Sequence, residues 1–261
     1  MGFPRLLPRI TFVLDLNLFN NMIKLVVFDL SGTTVSDDNA VAKCLFRAAK
    51  QYGLGATLED FEKTIGTNKI HLYEFLLARE SGIVTDFAQL ESQRFPQFHN
   101  HALEIFDEYS LHMVAFYRNE VKPMEGAEDV FKWCQDNQIR VATDTGFHRD
   151  VSNAIMDGLK WKDRGLIDVH LDVEDTNGIG RPAPYLIHKA MYMLGITSVH
   201  EVVKIGDTPA DLLSGYNAGC KGNIGVLSGA NDFETLKRFP HTHIVEDVRQ
   251  LPELITQEFN Q

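Results

Sequence analysis

The stretch KLVVFDL, residues 24–30, runs straight into SGTTV at 31–35, joining β-branched and aromatic residues to a Gly/Thr turn. A run of this kind, without polar alternation, predicts a parallel strand buried on both faces that ends near Asp29. Similar runs recur at IRVATDT (139–145), IDVHLDV (167–173), EVVKIGD (201–207) and GNIGVLSG (222–229). The gaps after IRVATDT hold helices expected over 149–159, 184–194 and 209–218. Strands alternating with helices build an α/β fold with a doubly wound parallel sheet.

Between these halves the periodicity changes. VAKCLFRAAKQYG, LEDFEKTIG, KIHLYEFLLARES and HALEIFDEYSLHMVAFYRN place apolar residues three to four apart, the mark of amphipathic helices. The expected organisation is a catalytic core of residues 22–38 and 123–261, with an inserted all-helical cap at 39–122. The junctions fall at Ser36–Asn39 and at Val121–Gly126, where KPMEG supplies Pro and Gly punctuation. A cap over the carboxyl ends of the strands covers the place where open α/β sheets bind ligands. A cap helix near 40–52 could equally serve as the face of a homodimer.

With 261 residues, 44% of them apolar, the chain can bury a sizeable core. A net charge of −11 without basic patches argues against nucleic acid as partner. Cys44, Cys134 and Cys220 are scattered and lack metal-ligand spacing, which suits reduced thiols and a cytoplasmic location. The apolar patch in residues 1–21 is broken by Asp15 and Asn17 and lacks a small-residue cleavage site. Met22 is the expected start, ahead of an ordered or floppy extension and of a targeting segment. No apolar run reaches the roughly 18 residues of a membrane span.

Four segments fall at the ends of expected strands: Asp29 with Gly32 and Thr33, Thr145 with Gly146, Arg181 in GRPAP, and Asp207 with Asp211 in GDTPAD. Together they describe a phosphoryl-transfer site acting on a small molecule. A carboxylate on a rigid strand end, Asp29, can attack phosphorus and form an aspartyl-phosphate. Asp29, Asp207 and a backbone carbonyl of the Asp29 loop can hold Mg²⁺, a cation that takes oxygen ligands and offsets repulsion between carboxylate and phosphate. Thr145 and Arg181 can bind the transferring oxygens. Pro209 starts a helix that positions Asp211 behind the metal site. Phe147 and His148 follow Thr145–Gly146 and can line the pocket. The pairs His99/His101 and His241/His243 read as solvated, and Met113, Phe116 and Tyr117 as cap core.

At these residues the chain resembles the haloacid dehalogenase superfamily of hydrolases with a helical cap after the first strand. The resemblance covers residues 22–261. It implies Asp29 as nucleophile, the Ser31 carbonyl and Asp207 as metal ligands, Thr145 as phosphate binder and Arg181 as the fixed cation. Most phosphatases of the superfamily carry an acid at position 31. Serine cannot replace it, because a general acid needs a pKa near working pH. The phosphonatase branch also lacks that acid, reads D-x-A-G-T-T-V there, and is similar again in GRPAP and in GDTPAD…GCKGNIGVLSGA. In that branch a cap lysine in a G-x-x-K motif forms a Schiff base with an aldehyde, and the iminium accepts the electrons of the breaking carbon–phosphorus bond. Here Gly66 and Lys69 match the motif, while Ile65 and Leu72 stand where phosphonatases have Met and His, and His71 comes one place early. The resemblance implies a Mg²⁺-dependent hydrolase of phosphonoacetaldehyde or a related small phosphonate or phosphate. The alternatives are a phosphomonoester phosphatase and a catalytically retired phosphate-binding protein; a metal-free dehalogenase uses less acidic charge than Asp207 and Asp211 supply.

Overall fold

The computed structural model describes residues 22–65, 67–90 and 92–259. The extension at 1–21 and Gly66 lie outside them. The first strand, β1 (Leu25–Asp29), is buried along its whole length. Its side chains alternate between two cores, as the period of two requires. Val26 and Phe28 join one apolar cluster, while Leu25 and Val27 join a second with Val169, Leu171, Leu186 and Ile187.

The helices that follow β1 are α1 (Ala40–Gln51), α2 (Leu58–Glu62), α3 (Lys69–Glu80) and the long α4 (His99–Glu120). Both α1 and α3 pack on α4. Then come α5 (Ala127–Asp136), β2 (Arg140–Asp144), α6 (Arg149–Leu159), β3 (Val169–Leu171) and α7 (Tyr185–Leu194). The chain continues through β4 (Val202–Gly206), α8 (Pro209–Ala218), β5 (Gly222–Val226) and β6 (His243–Val245). All six strands are parallel, in the order β3-β2-β1-β4-β5-β6. This is the doubly wound sheet with an inserted helical cap that the sequence predicts. The strand β6 and the helix α5 had no counterpart in that reading, and α2 is shorter than the run LEDFEKTIG suggested.

After β1 the chain works outward through β2 to β3, then returns to the other side of β1 for β4. Adjacent strands whose connections leave in opposite directions open a crevice at their carboxyl ends. Asp29 and Asp207 flank it, one ending β1 and the other immediately following β4.

Candidate active site

The loop after β1 is folded by its own hydrogen bonds. The Thr34 hydroxyl donates to the Asp29 carbonyl oxygen at 2.7 Å, and the amides of Thr33 and Val35 donate to the Leu30 carbonyl oxygen. Gly32 has a φ of +80°, and a Cβ there would stand 2.6 Å from Asp207 Oδ2 and 2.9 Å from Gly229 Cα. Only glycine fits both the conformation and the space. The Gly32 amide donates to the Val35 carbonyl oxygen, so Gly32 and Thr33 spend their N–H groups inside the loop. The Thr33 hydroxyl donates to Asp207 Oδ1 at 3.3 Å.

Asp207 is buried, and its Oδ2 accepts from the Ala230 amide at 2.7 Å. Thr208 caps α8: its hydroxyl accepts from the Asp211 amide, and the Asp211 carboxylate accepts from the Thr208 amide at 3.3 Å. This capping box aims Asp211 back at the crevice. There Arg181 Nη1 donates both to Asp211 and to Asp29 Oδ1, the latter at 2.7 Å. Beneath them Lys204, fully buried on β4, donates to Asp144 Oδ1 at 2.6 Å and lies 3.0 Å from Asp211 Oδ1. Asp144 and Lys204 escaped the sequence reading. The available signal was a charged residue inside an apolar strand run, since ionised groups are almost never fully buried without a partner.

Burial pushes the Asp29 carboxyl well up, with Arg181 offsetting part of the shift. Burial and the nearby Asp211 push Asp207 to about 6. Burial opposes the ionised form of Asp211 as well, yet Arg181 and Lys204 hold it below the usual carboxylate range. Among the described residues, four buried carboxylates (Asp29, Asp144, Asp207, Asp211) surround the buried Lys204 and the partly buried Arg181. The acidic groups outnumber the cations that bridge them, an imbalance that a divalent cation would lessen. Asp29, Asp144 and Asp211 bring oxygens within 4.8 Å of one another. That cluster is already bridged by Arg181 and Lys204. Asp144 Oδ2 is buried without a hydrogen-bond partner, and Asp207 stands outside this triad. Asp29, Asp207 and the Ser31 carbonyl offer hard oxygens, the donor type that Mg²⁺ takes.

Thr145 is buried at the end of β2; its hydroxyl accepts from the Phe147 amide at 3.1 Å and keeps its own proton to donate. Gly146 lies against Arg181, where a Cβ would come within 3.2 Å of Nη2. The Phe147 ring meets Tyr117, and the His148 ring meets Phe106, both edge-on from α4. The Ser31 hydroxyl donates to Asp37 Oδ1 at 3.0 Å and accepts from the Tyr117 hydroxyl at 3.3 Å. Asp37, pushed up by burial, is therefore the carboxyl next to the position where the superfamily's acid would sit. Tyr117 is fully buried, as a core residue should be, but its hydroxyl also reaches this junction.

Lys69 opens α3, where the Asn68 side chain accepts from the His71 amide at 3.0 Å. Its Nζ donates to the Thr67 carbonyl oxygen at 3.1 Å. It lines one cavity of about 1730 Å³ together with Asp29, Thr145, Arg181 and Asp207. Burial, then the Arg181 charge, lower the Lys69 amine to about 8. His71 turns Nε2 to the Leu90 carbonyl oxygen, 2.6 Å away. His99 is half exposed, as expected of a solvated residue, and its Nδ1 also bonds Glu74 Oε1 at 2.7 Å. None of the expected solvated histidine pairs joins a three-ligand cluster among the described residues.

A model of the haloacid dehalogenase-like hydrolases matches residues 23–219. A phosphonoacetaldehyde hydrolase of Bacillus cereus (strain AH820) is 26% identical over 216 residues, covering 80% of this chain and 78% of that one. Another, of Parabacteroides distasonis, is 30% identical over 129 residues, about half of each chain. Among solved structures, a phosphonoacetaldehyde hydrolase-like protein from Oleispira antarctica superposes with a TM-score of 0.73 at 19% identity, covering 91% of this chain and 92% of that one. A hydrolase from Pseudomonas syringae gives 0.68 at 20% identity, over 90% and 99%. At these identities the structural likenesses speak for the fold alone. Among the described residues no helix is long and apolar enough to cross a membrane.

Proposed function

The chain belongs to the haloacid dehalogenase-like hydrolases, and from that premise we propose that it hydrolyses a small phosphonate or phosphate through an aspartyl-phosphate on Asp29, with phosphonoacetaldehyde the leading substrate. One observation carries the reading: the Lys69 amine, lowered to about 8, lines the same cavity as the Asp29 carboxylate. The similarity to phosphonoacetaldehyde hydrolases at 26% identity supports it. In this reading residues 39–122 act as a cap over a core of 22–38 and 123–261, and closure excludes bulk water. The three unpaired cysteines suit a cytoplasmic enzyme.

Arg181 and the Thr145 hydroxyl bind the phosphoryl oxygens, and Gly146 keeps the wall open beside Arg181. The unprotonated Lys69 amine condenses with the substrate aldehyde, releasing water, and the imine takes up a proton from solvent to become an iminium. Asp29 then attacks phosphorus; the P–O bond forms as the P–C bond breaks, and its electron pair enters the iminium to give an enamine. No proton from position 31 is needed, which accounts for Ser31. Water hydrolyses the acyl phosphate; the enamine takes up a solvent proton at the carbon that left phosphorus, and hydrolysis of the resulting iminium releases acetaldehyde and frees Lys69. Bound at Asp29, Asp207 and the Ser31 carbonyl, Mg²⁺ would neutralise charge between nucleophile and phosphoryl group.

The test is acetaldehyde release from phosphonoacetaldehyde with Mg²⁺, coupled to borohydride trapping and mass spectrometry of wild type and Lys69→Arg. Turnover with an adduct on Lys69 that the variant lacks supports the reading. Turnover without any adduct removes the Schiff base.

A second reading, phosphoester hydrolysis, is favoured by the hydrogen bond from the Ser31 hydroxyl to Asp37. It places a carboxyl near an ester leaving group. Asp37→Asn should then slow alkyl phosphate turnover while sparing acetyl phosphate, whose leaving group needs no proton.

A further inference from the structure

The cleft that starts at Asp29 continues into the cap past Lys69, and its wall there carries titratable side chains that phosphoryl transfer does not use. Glu74, on α3, is 8% exposed, and its Oε1 lies 2.7 Å from His99 Nδ1. A carboxylate has no proton to give, so the hydrogen of this contact sits on His99 Nδ1. His71, 9% exposed, has Nε2 at 2.6 Å from the Leu90 carbonyl oxygen. Its Nδ1 is left buried without a hydrogen-bond partner, 3.5 Å from Glu74 Oε2. At 3.5 Å that approach is too long for a hydrogen bond, so Glu74 Oε2 keeps a lone pair for a donor arriving from the cleft. Arg94, which donates to the Gln93 carbonyl oxygen, stands 3.0 Å from the same His71 Nε2. Its positive charge beside the cluster favours a neutral donor over an ammonium.

Reach then limits what can arrive there. On α3, Glu74 follows Lys69 by five residues, which is about 7.5 Å of helical rise. A two-carbon aldehyde whose carbonyl reacts at Lys69 ends there and leaves Glu74 untouched.

We infer that Glu74, flanked by His71 and His99, recognises a hydroxyl group carried along the substrate's chain beyond the atom that meets Lys69. The substrate class is a hydroxylated phosphonate or phosphate longer than two carbons. This rests on the phosphoryl-site reading above and, within it, puts a longer hydroxylated substrate in place of phosphonoacetaldehyde.

The experiment measures calorimetrically, with Mg²⁺ present, the binding of methylphosphonate and of paired alkyl and ω-hydroxyalkyl phosphonates from two to six carbons. These lack an aldehyde and bind without turnover. Wild type should show no preference for the hydroxyl at two carbons and a preference of about tenfold at one longer chain length, the size of one hydrogen bond to a charged group. Glu74→Gln and His99→Leu should each cut that preference to threefold or less and leave methylphosphonate affinity unchanged. Equal affinity for hydroxylated and plain chains at every length in wild type overturns the inference. So does a preference that survives in both variants, which would make Glu74–His99 a clip between α3 and α4. If wild type binds no phosphonate at all, methylphosphonate included, the phosphoryl-site reading falls and takes the inference with it.

Discussion

A carboxylate placed at Ser31 would face Asp37 in place of a hydroxyl that now donates to it at 3.0 Å. Two carboxylates at that distance cannot both ionise, so one must take up a proton or move. Ser31→Asp should therefore destabilise the protein by about 1–3 kcal/mol, read from urea midpoints, and Asp37→Asn in the same chain should recover most of it. An unchanged midpoint in the single variant would break the account of why serine stands here. Lys69 makes a second prediction at the scale of one side chain. Burial and Arg181 lower its amine to about 8 in the folded protein, so the neutral nucleophile is the major form above that pH. The rate of imine formation should fall about tenfold per pH unit below the pKa and level off above it. Stopped-flow trapping across pH 6–10 reads this directly, and a midpoint near the ordinary lysine value would remove the electrostatic argument.

For α8, cap and network are one construction. Thr208 and Asp211 form its capping box, and the same Asp211 carboxylate pairs with Arg181 and Lys204. Thr208→Ala should cost about 1 kcal/mol, the usual worth of an N-cap. Asp211→Asn should cost about 3–5 kcal/mol, because it strips a partner from the buried Lys204 and the partly buried Arg181. Denaturant unfolding separates the two, and equal losses would mean that the network adds nothing to the cap. This element also shows where sequence is legible. GDTPAD announced a strand end, a helix start and a carboxylate pair, since each depends on residues adjacent in the chain. The partner cations did not announce themselves. Lys204 lies within a strand and Arg181 reaches Asp211 from 30 positions away, so only the parallel register brings them together. β6 was missed because an edge strand of three half-buried residues, HIV, presents no continuous apolar run. Glu74 and His99 sit on separate helices 25 positions apart, and neither spacing nor composition pairs them.

Across the whole molecule the site is a charge imbalance buried under a cap, and that makes stability depend on pH and Mg²⁺ together. The folded state raises the carboxyl of Asp29 well above its ordinary value and that of Asp207 to about 6. Through the window between the ordinary value of 3.8 and about 6, the native state binds more protons than the unfolded chain. The slope of unfolding free energy against pH carries the sign of protons bound in the unfolded state minus those bound in the native state, so these groups lower stability as pH rises. The metal-free protein should accordingly lose stability from these groups between pH 4 and 7. Mg²⁺ held by the ionised pair, as proposed above, would reverse this. Its effect grows as the carboxylates ionise, reaching about 2.7 kcal/mol at a concentration one hundred times its dissociation constant. Thermal melts at pH 5 and pH 8, with and without Mg²⁺, should show the larger upward shift at pH 8. In Asp207→Asn that shift should shrink at both pH values, while the metal-free variant should melt higher than wild type at pH 8 because one uncompensated charge has gone. If Mg²⁺ raised the melting temperature equally at both pH values, or equally in the variant, the ion would be binding elsewhere and the four-carboxylate account of the crevice would fail.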